Sequence, residues 1–143
     1  MSYHLLGDFK DQPGIHLPES YFKERDCWLD CRGKGMIYID AVANPGWCVS
    51  LITVSHDPRP GMFGELTYRP IKIGPKVFIG YGAILYNCII GEGAQIAAGS
   101  VVRSRIVPPW TMVEGNPAMP IREYKNGAWQ YISNPRELER MHH

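Results

Sequence analysis

The chain has 143 residues, with 15 Lys and Arg against 14 Asp and Glu, so its formal net charge is +1 at pH 7. This balance argues against nucleic acid as a partner, because a nucleic-acid-binding surface needs an excess of basic residues. The length suits a single domain with a hydrophobic core. No apolar run is long enough to span a bilayer and the start lacks a secretory apolar core, so we expect a cytoplasmic protein without a membrane span.

The first 28 residues are expected to form a lead-in segment, with a short helix in PESYFKERD at positions 18–26. Two cysteines stand four residues apart, a spacing that can hold zinc, but no second close pair and no nearby histidine complete a ligand set. We therefore expect no metal, and we expect free, mostly buried thiols at Cys27, Cys31, Cys48 and Cys88.

A six-residue period runs through IKIGPKVFIGYGAILYNCIIGEGAQIAAGSVVRSRIV, residues 71–107. Large aliphatic residues recur in steps of six, six, five, six and six, with a slim residue two places before each one after the first. The aliphatic positions are Ile73, Ile79, Leu85, Ile90, Ile96 and Val102, the slim positions are Val77, Ala83, Cys88, Ala94 and Ser100, and small residues follow directly at Gly74, Gly80, Gly91 and Ala97.

Positions six apart do not form one stripe on a helix, so this period excludes a helical structure. It favours a solenoid of short strands that meet at tight corners, with the aliphatic side chains pointing inward. A small β-barrel with a chance period is the alternative. At the five-residue step, Asn87 is expected to take the left-handed backbone conformation that a tightened corner demands.

The period resembles that of the hexapeptide-repeat acetyltransferases. The segments VSHD at 54–57, IAAGSVV at 96–102 and VPPWTMVEGNPAMPIRE at 107–123 are similar to the motifs of the subgroup that acts on sugars, glycans and other small acceptors. The resemblance implies an all-β fold, a left-handed parallel β-helix with a projecting loop and a short C-terminal helix. The expected boundaries are 1–28 for the lead-in, 29–122 for the β-helix with a loop excursion at 58–70, and 123–143 for the C-terminal extension.

The resemblance gives His56 the role of general base, and imidazole suits that role. Acetyl transfer from a thioester to a hydroxyl requires a group that removes the hydroxyl proton during attack and returns it to the leaving thiolate. Asp57 either orients the imidazole, accepts from the substrate, or only begins a turn before Pro58. Glu65, in the excursion, is expected to be a solvated acid. For the polar residue that the family carries before the histidine, Asp26 and Asp30 are both candidates.

The resemblance further implies acetyl-CoA as the acyl donor. By motif position, its groove is expected to involve Phe78, Gly80, Tyr81, Ala98, Arg103, Ser104 and Arg122. Phe78 stands where the family usually has tryptophan and keeps a flat apolar wall. The arginines are expected to pair with the phosphates, since a guanidinium can donate two hydrogen bonds to one phosphate.

At the C-terminus, SNPRELERM (133–141) has the capping pattern of a short helix, and His142 and His143 receive no role. The resemblance implies a homotrimer in which each active site is shared between two chains.

Three alternative functions remain open. They are acetyl transfer to an amino sugar or a small antibiotic, a catalytically silent trimeric scaffold, and a γ-type carbonic anhydrase. The last needs three zinc-binding histidines, and the repeats contain only His56.

Overall fold

The computed structural model describes residues 4–133 of the chain, and nearly all of its regular structure is β-strand. The elements in chain order are β1 (His4–Leu6), a 3-10 helix (Phe9–Asp11), α1 (Glu19–Glu24), β2 (Trp28–Asp30), β3 (Ile37–Ile39), β4 (Asn44–Pro45), β5 (Ser50–Ile52), β6 (Val54–His56), β7 (Leu66–Tyr68), β8 (Ile71–Ile73), β9 (Phe78–Ile79), β10 (Ile84–Ile90), β11 (Gln95–Ile96), β12 (Val101–Val107), β13 (Thr111–Gly115), β14 (Ala118–Lys125) and β15 (Ala128–Tyr131).

The strands form three parallel stacks, and the chain visits them in a fixed order. Stack 1 contains β1, β2, β5 and the first halves of β10 and β12. Stack 2 contains β3, β8 and the second halves of β10 and β12. Stack 3 contains β4, β9, β11 and β13. The chain therefore winds as a parallel β-solenoid in which each turn hydrogen-bonds to the turns above and below it.

The six-residue period produces this solenoid because its apolar positions all point into the narrow interior. The predicted inward aliphatics are at most 3% exposed, and the slim residues two places before them are also buried. The prediction of an inward aliphatic set is therefore confirmed. In the earlier turn, Ile39, Pro45 and Leu51 occupy equivalent buried positions.

The five-residue step is a one-residue corner between stacks 1 and 2. Asn87 has φ of 49° and joins the two halves of β10, which confirms the left-handed conformation expected there. Ser104 repeats this corner one turn later with φ of 53°, and its hydroxyl accepts a hydrogen bond from the Asn87 amide at 3.2 Å. Thr53 precedes both in the same column, because Ile52 is in register with Tyr86. This column is called corner A.

The chain leaves the solenoid after corner A and returns at β8. In this excursion, residues 54–70, strands β6 and β7 pair antiparallel as a hairpin. The backbone N–H of Arg69 donates to the Thr53 carbonyl at 2.9 Å, which closes the base of the excursion. The hairpin is thus anchored at one corner of a rigid scaffold.

At the ends of the solenoid, α1 forms within the region predicted to be helical, and its Phe22 is fully buried. At the other end, β13, β14 and β15 pair antiparallel. The predicted C-terminal helix lies almost entirely outside the described residues. Within residues 4–133, no helix is long and apolar enough to cross a membrane.

Candidate active site

His56 is the last residue of β6 and lies opposite Leu66 of β7. Its Nδ1 is 2.9 Å from the backbone carbonyl oxygen of Asp57. A carbonyl oxygen only accepts hydrogen bonds, so this contact requires the proton to be on Nδ1. In the neutral form of this exposed imidazole, Nε2 then carries the lone pair that a general base needs.

Phe63 packs edge-on against the His56 imidazole. The ring centroids are 5.5 Å apart and the planes meet at 85°. Phe63 itself is 70% exposed, so the excursion places an apolar surface beside the candidate base.

The carboxylate of Asp57 binds Arg59 and not the imidazole. It accepts from the Arg59 backbone N–H at 2.8 Å and from the guanidinium Nε and Nη2 at 3.0 and 2.8 Å. These hydrogen bonds from Arg59 hold the pKa of the Asp57 carboxyl below its usual range. Of the roles left open by the sequence, this geometry favours the turn-forming one for the carboxylate, while the carbonyl of the same residue orients the imidazole.

A cavity of about 290 Å³ opens beside the excursion at corner A. Its lining residues are Pro70, Asn87, Cys88, Ile89, Ser104, Arg105 and Ile106. Ser104, one of the residues predicted to bind the cofactor, therefore lies next to the base of the excursion that carries His56.

Four other predicted cofactor residues cluster at the corner between stacks 3 and 1, called corner B. The carbonyl of Tyr81 accepts from Gly99 N–H at 2.8 Å, which stacks Tyr81 directly below Ala98. A Cβ at Gly80 would lie 2.5 Å from the Ala98 backbone nitrogen, so only glycine fits between these two turns. Phe78 and Tyr81 are 42% and 64% exposed and form an apolar outer surface.

Arg103 and Arg122 lie apart from that cluster. Arg103 is exposed at the end of stack 1, in register with Tyr86, so it adjoins corner A. Arg122 is on β14, where its guanidinium lies 4.2 Å from the centre of the Tyr131 ring and donates to the Tyr131 hydroxyl. Within one chain, the predicted cofactor residues therefore lie in three places: corner A, corner B and the hairpin formed by β14 and β15.

Sequence reasoning missed two residues that adjoin these sites. Trp47, 48% exposed, lies directly below Tyr81 at corner B, because its carbonyl accepts from Gly82 N–H at 3.0 Å. Arg59 holds the turn that follows His56. The excursion interrupts the period between Trp47 and Tyr81, so their adjacency had no constant spacing to reveal it.

Neither acidic candidate for the polar residue before the histidine contacts His56. The Asp30 carboxylate is held by Arg32 through Nε and Nη2 at 2.9 and 2.8 Å. Asp26 lies 3.5 Å from Nε2 of His4. Asp26 has φ of 52° and stands in the corner B column, one turn below Cys48.

The cysteines are free thiols, and Cys27, Cys31 and Cys88 are buried, as the sequence predicted. Burial raises the pKa of Cys27 and Cys31 to about 11 and that of Cys88 to about 12. Across residues 4–133, the His, Cys, Asp and Glu side chains form no group of three or more that could hold a metal ion.

Comparison with known proteins gives consistent matches. Residues 70–104 match the family described as bacterial transferase hexapeptide (six repeats). A Schizosaccharomyces pombe protein provisionally named as an acetyltransferase is 36% identical over 116 residues, which are 78% of this chain and 54% of that relative. The chain thus spans about half the length of this relative.

Two solved structures share the fold. AntD, an N-acyltransferase from Bacillus cereus in complex with dTDP and 3-hydroxybutyryl-CoA, superposes with a TM-score of 0.62 at 21% identity, covering 81% of this chain and 62% of AntD. A galactoside acetyltransferase in complex with coenzyme A gives a TM-score of 0.59 at 25% identity, covering 70% of this chain and 50% of the enzyme.

Proposed function

This chain belongs to the hexapeptide-repeat acetyltransferase family, and we propose that it transfers the acetyl group of acetyl-CoA to a hydroxyl of a sugar or glycan. The observation that carries the proposal is the exposed imidazole of His56, whose Nδ1 lies 2.9 Å from a backbone carbonyl oxygen, which leaves Nε2 of the neutral ring as the base.

The transfer is a direct attack with one proton shuttle. Nε2 of His56 takes the proton of the acceptor hydroxyl while the hydroxyl oxygen attacks the thioester carbonyl carbon. The tetrahedral intermediate then expels the CoA thiolate, breaking the C–S bond, and the imidazolium returns the proton from Nε2 to sulfur. The enzyme forms no covalent bond, so a single histidine is sufficient.

The acetyl-CoA arm lies in this proposal along corner B, against Phe78, Gly80, Tyr81 and Ala98. Exposed apolar side chains beside a glycine that admits close approach form a suitable groove for a narrow, flexible arm. In this proposal Arg103 and Arg122 bind the nucleotide phosphates, and Ser104 provides a hydroxyl beside Arg103.

Corner B and His56 are separated in one chain by the width of stack 1. We propose that the solenoid is left-handed and that three copies associate side by side. The corner B of one copy then faces the excursion of its neighbour. Such an arrangement brings donor and base together, and it covers exposed apolar side chains such as Ile84 and Ile106.

The decisive experiment compares His56→Ala with the wild type by CoA release over a panel of sugar acceptors. Removal of a general base should lower the transfer rate roughly 100- to 10,000-fold. Thermal stability and acetyl-CoA binding should not change, since the side chain is exposed. His16→Ala removes an exposed histidine outside the excursion and should retain full activity. Normal turnover by the His56 variant would show that the proposed mechanism is wrong.

Calorimetric titration with acetyl-CoA separates the enzyme from a silent scaffold. We expect saturable binding of about one molecule per chain, the stoichiometry of one groove between each pair of copies. Absence of binding by folded protein would favour the scaffold. Turnover with amino sugars but not with hydroxyl acceptors would assign the chain to N-transfer.

A further inference from the structure

We propose that Arg59 is a positioning residue, which holds the His56 imidazole in its reactive tautomer through Asp57. The inference rests on the proposed function, because the reactive tautomer is defined by proton removal at Nε2. Arg59 itself does not contact the imidazole; it acts on the turn whose backbone does.

The first link joins Arg59 to the Asp57 side chain. The guanidinium donates to both carboxylate oxygens, with Nε at 3.0 Å from Oδ1 and Nη2 at 2.8 Å from Oδ2. The Arg59 backbone N–H also donates to Oδ1 at 2.8 Å, which closes a turn over Asp57 and Pro58. Side chain and backbone of one residue thus hold the same carboxylate.

The second link joins the Asp57 backbone to the hairpin and to the imidazole. Its N–H donates to the Glu65 carbonyl at 2.6 Å, and its own carbonyl oxygen accepts from His56 Nδ1 at 2.9 Å. The orientation of that carbonyl depends on the backbone angles of residues 57 and 58. The clamp formed by Arg59 and the Asp57 carboxylate restricts those angles.

The clamp matters because few other contacts of the described residues orient the ring. The His56 side chain is exposed, and a neutral imidazole can carry its proton on either nitrogen. If the Asp57 carbonyl turns away, the proton can move to Nε2, and the atom that should accept the substrate proton becomes a donor. An exposed ion pair adds little to global stability, so the effect of Arg59 is expected on tautomer population and not on unfolding.

The guanidinium shape is also part of the inference. Arg59 uses two nitrogens on two carboxylate oxygens, a geometry that lysine cannot reproduce. Arg59→Lys keeps the positive charge and loses the contact of two nitrogens with two oxygens, whereas Arg59→Gln loses both. Asp57→Asn keeps an oxygen for the Arg59 backbone N–H and removes the charge. These variants should form a graded series, with Arg59→Gln the most affected.

The test measures the tautomer and the kinetics on the same variants of the full chain. Long-range proton–nitrogen NMR on protein labelled with 15N-histidine distinguishes Nδ1–H from Nε2–H, and the spectrum of His56→Ala identifies the His56 signals. We expect the wild type to carry its proton mainly on Nδ1, and Arg59→Gln to populate the Nε2–H form. We further expect kcat to fall about tenfold in Arg59→Gln, a modest misplacement of a catalytic group, with KM for acetyl-CoA within about twofold of the wild type.

Arg69→Gln is the matched control. Arg69 lies at the other end of the same excursion, makes the same charge change when substituted, and its guanidinium donates to the Tyr68 carbonyl at 3.1 Å. Neither the tautomer nor kcat should change in this variant. An unchanged tautomer in Arg59→Gln, or a higher KM for acetyl-CoA with unchanged kcat, would overturn the positioning role and would assign Arg59 to substrate binding or to no role.

The NMR measurement needs no substrate, so it separates failure of this inference from failure of the proposed function. If the wild type transfers no acetyl group while the tautomer still depends on Arg59, the positioning role of Arg59 is supported and the proposed reaction is wrong. If transfer depends on His56 but substitution of Arg59 does not change the tautomer, the proposed reaction is supported and the positioning role of Arg59 is wrong.

Discussion

The solenoid and the excursion both contain large apolar residues, but they differ in how far these side chains are buried. In the solenoid, apolar side chains such as Ile79, Leu85 and Ile96 are fully buried. In the excursion, Phe63 and Leu66 are 70% and 47% exposed. The solenoid thus uses apolar side chains to build a core, whereas the excursion presents them beside a titratable ring.

The difference lies in what determines the position of each residue. A solenoid residue is held by hydrogen bonds to the turns above and below and by the interior that they enclose. An excursion residue is held by one hairpin ladder and by local contacts such as that between Arg59 and Asp57. A rigid scaffold with a locally determined loop allows the sequence of the loop to change without loss of the fold.

The largest expected contrast is between two leucines. Leu85→Ala empties an inward position that is 0% exposed, and should lower the free energy of unfolding by about 2–5 kcal/mol. Leu66→Ala, in the excursion, should change it by no more than about 0.5 kcal/mol. Urea unfolding followed by tryptophan fluorescence measures both. An equal loss at Leu66 would contradict the comparison, since it would mean that the excursion packs into a core formed with another copy.

A smaller contrast is expected between two glycines. A Cβ at Gly91 would lie 2.5 Å from the Pro109 nitrogen in the next turn, so Gly91→Ala should force the turns apart and cost about 1–3 kcal/mol. Gly64, in the excursion, has nothing within 4 Å of the same added atom. Gly64→Ala should therefore be neutral or should stabilise by up to about 1 kcal/mol, because it restricts the unfolded chain. The same unfolding experiment applies, and a stable Gly91→Ala would show that the turns can separate freely.

The fold could be predicted from the sequence to the extent that it repeats. One physical constraint, a narrow interior lined every sixth residue, recurs often enough to identify inward positions and even the left-handed corner at Asn87. The position of His56 at a strand end beside an excursion could be predicted as well, because a motif accompanies it. Both predictions depend on patterns that are local in the sequence.

The rest of the site depends on relations that no constant spacing encodes. Trp47 and Tyr81 become neighbours only after the chain closes a turn around an excursion of irregular length. Arg59 acts through a bidentate contact, which requires the turn geometry and not only the residue type. The predicted cofactor residues followed from motif position alone, so their division among corner A, corner B and the hairpin of β14 and β15 was visible only in the folded chain.

The smallest expected effect is a difference in the rate of alkylation among the cysteines of the solenoid, which reports how exposed each thiol is. Cys88 points inward, and burial raises its pKa to about 12, so at pH 8 it is protonated as well as inaccessible. Cys48 is half-buried at corner B with φ of 57°, and its thiol is hydrogen-bonded to the Tyr81 hydroxyl, which raises the pKa of Tyr81.

Iodoacetamide at pH 8 should therefore modify Cys48 before the three buried thiols, as read by peptide mass mapping. Acetyl-CoA should slow that modification because the proposed groove runs along the same corner. Equal modification of Cys88 and Cys48 would show that the interior of the solenoid is as accessible as its surface, and the scaffold would then not be the rigid region that the comparison with the excursion requires.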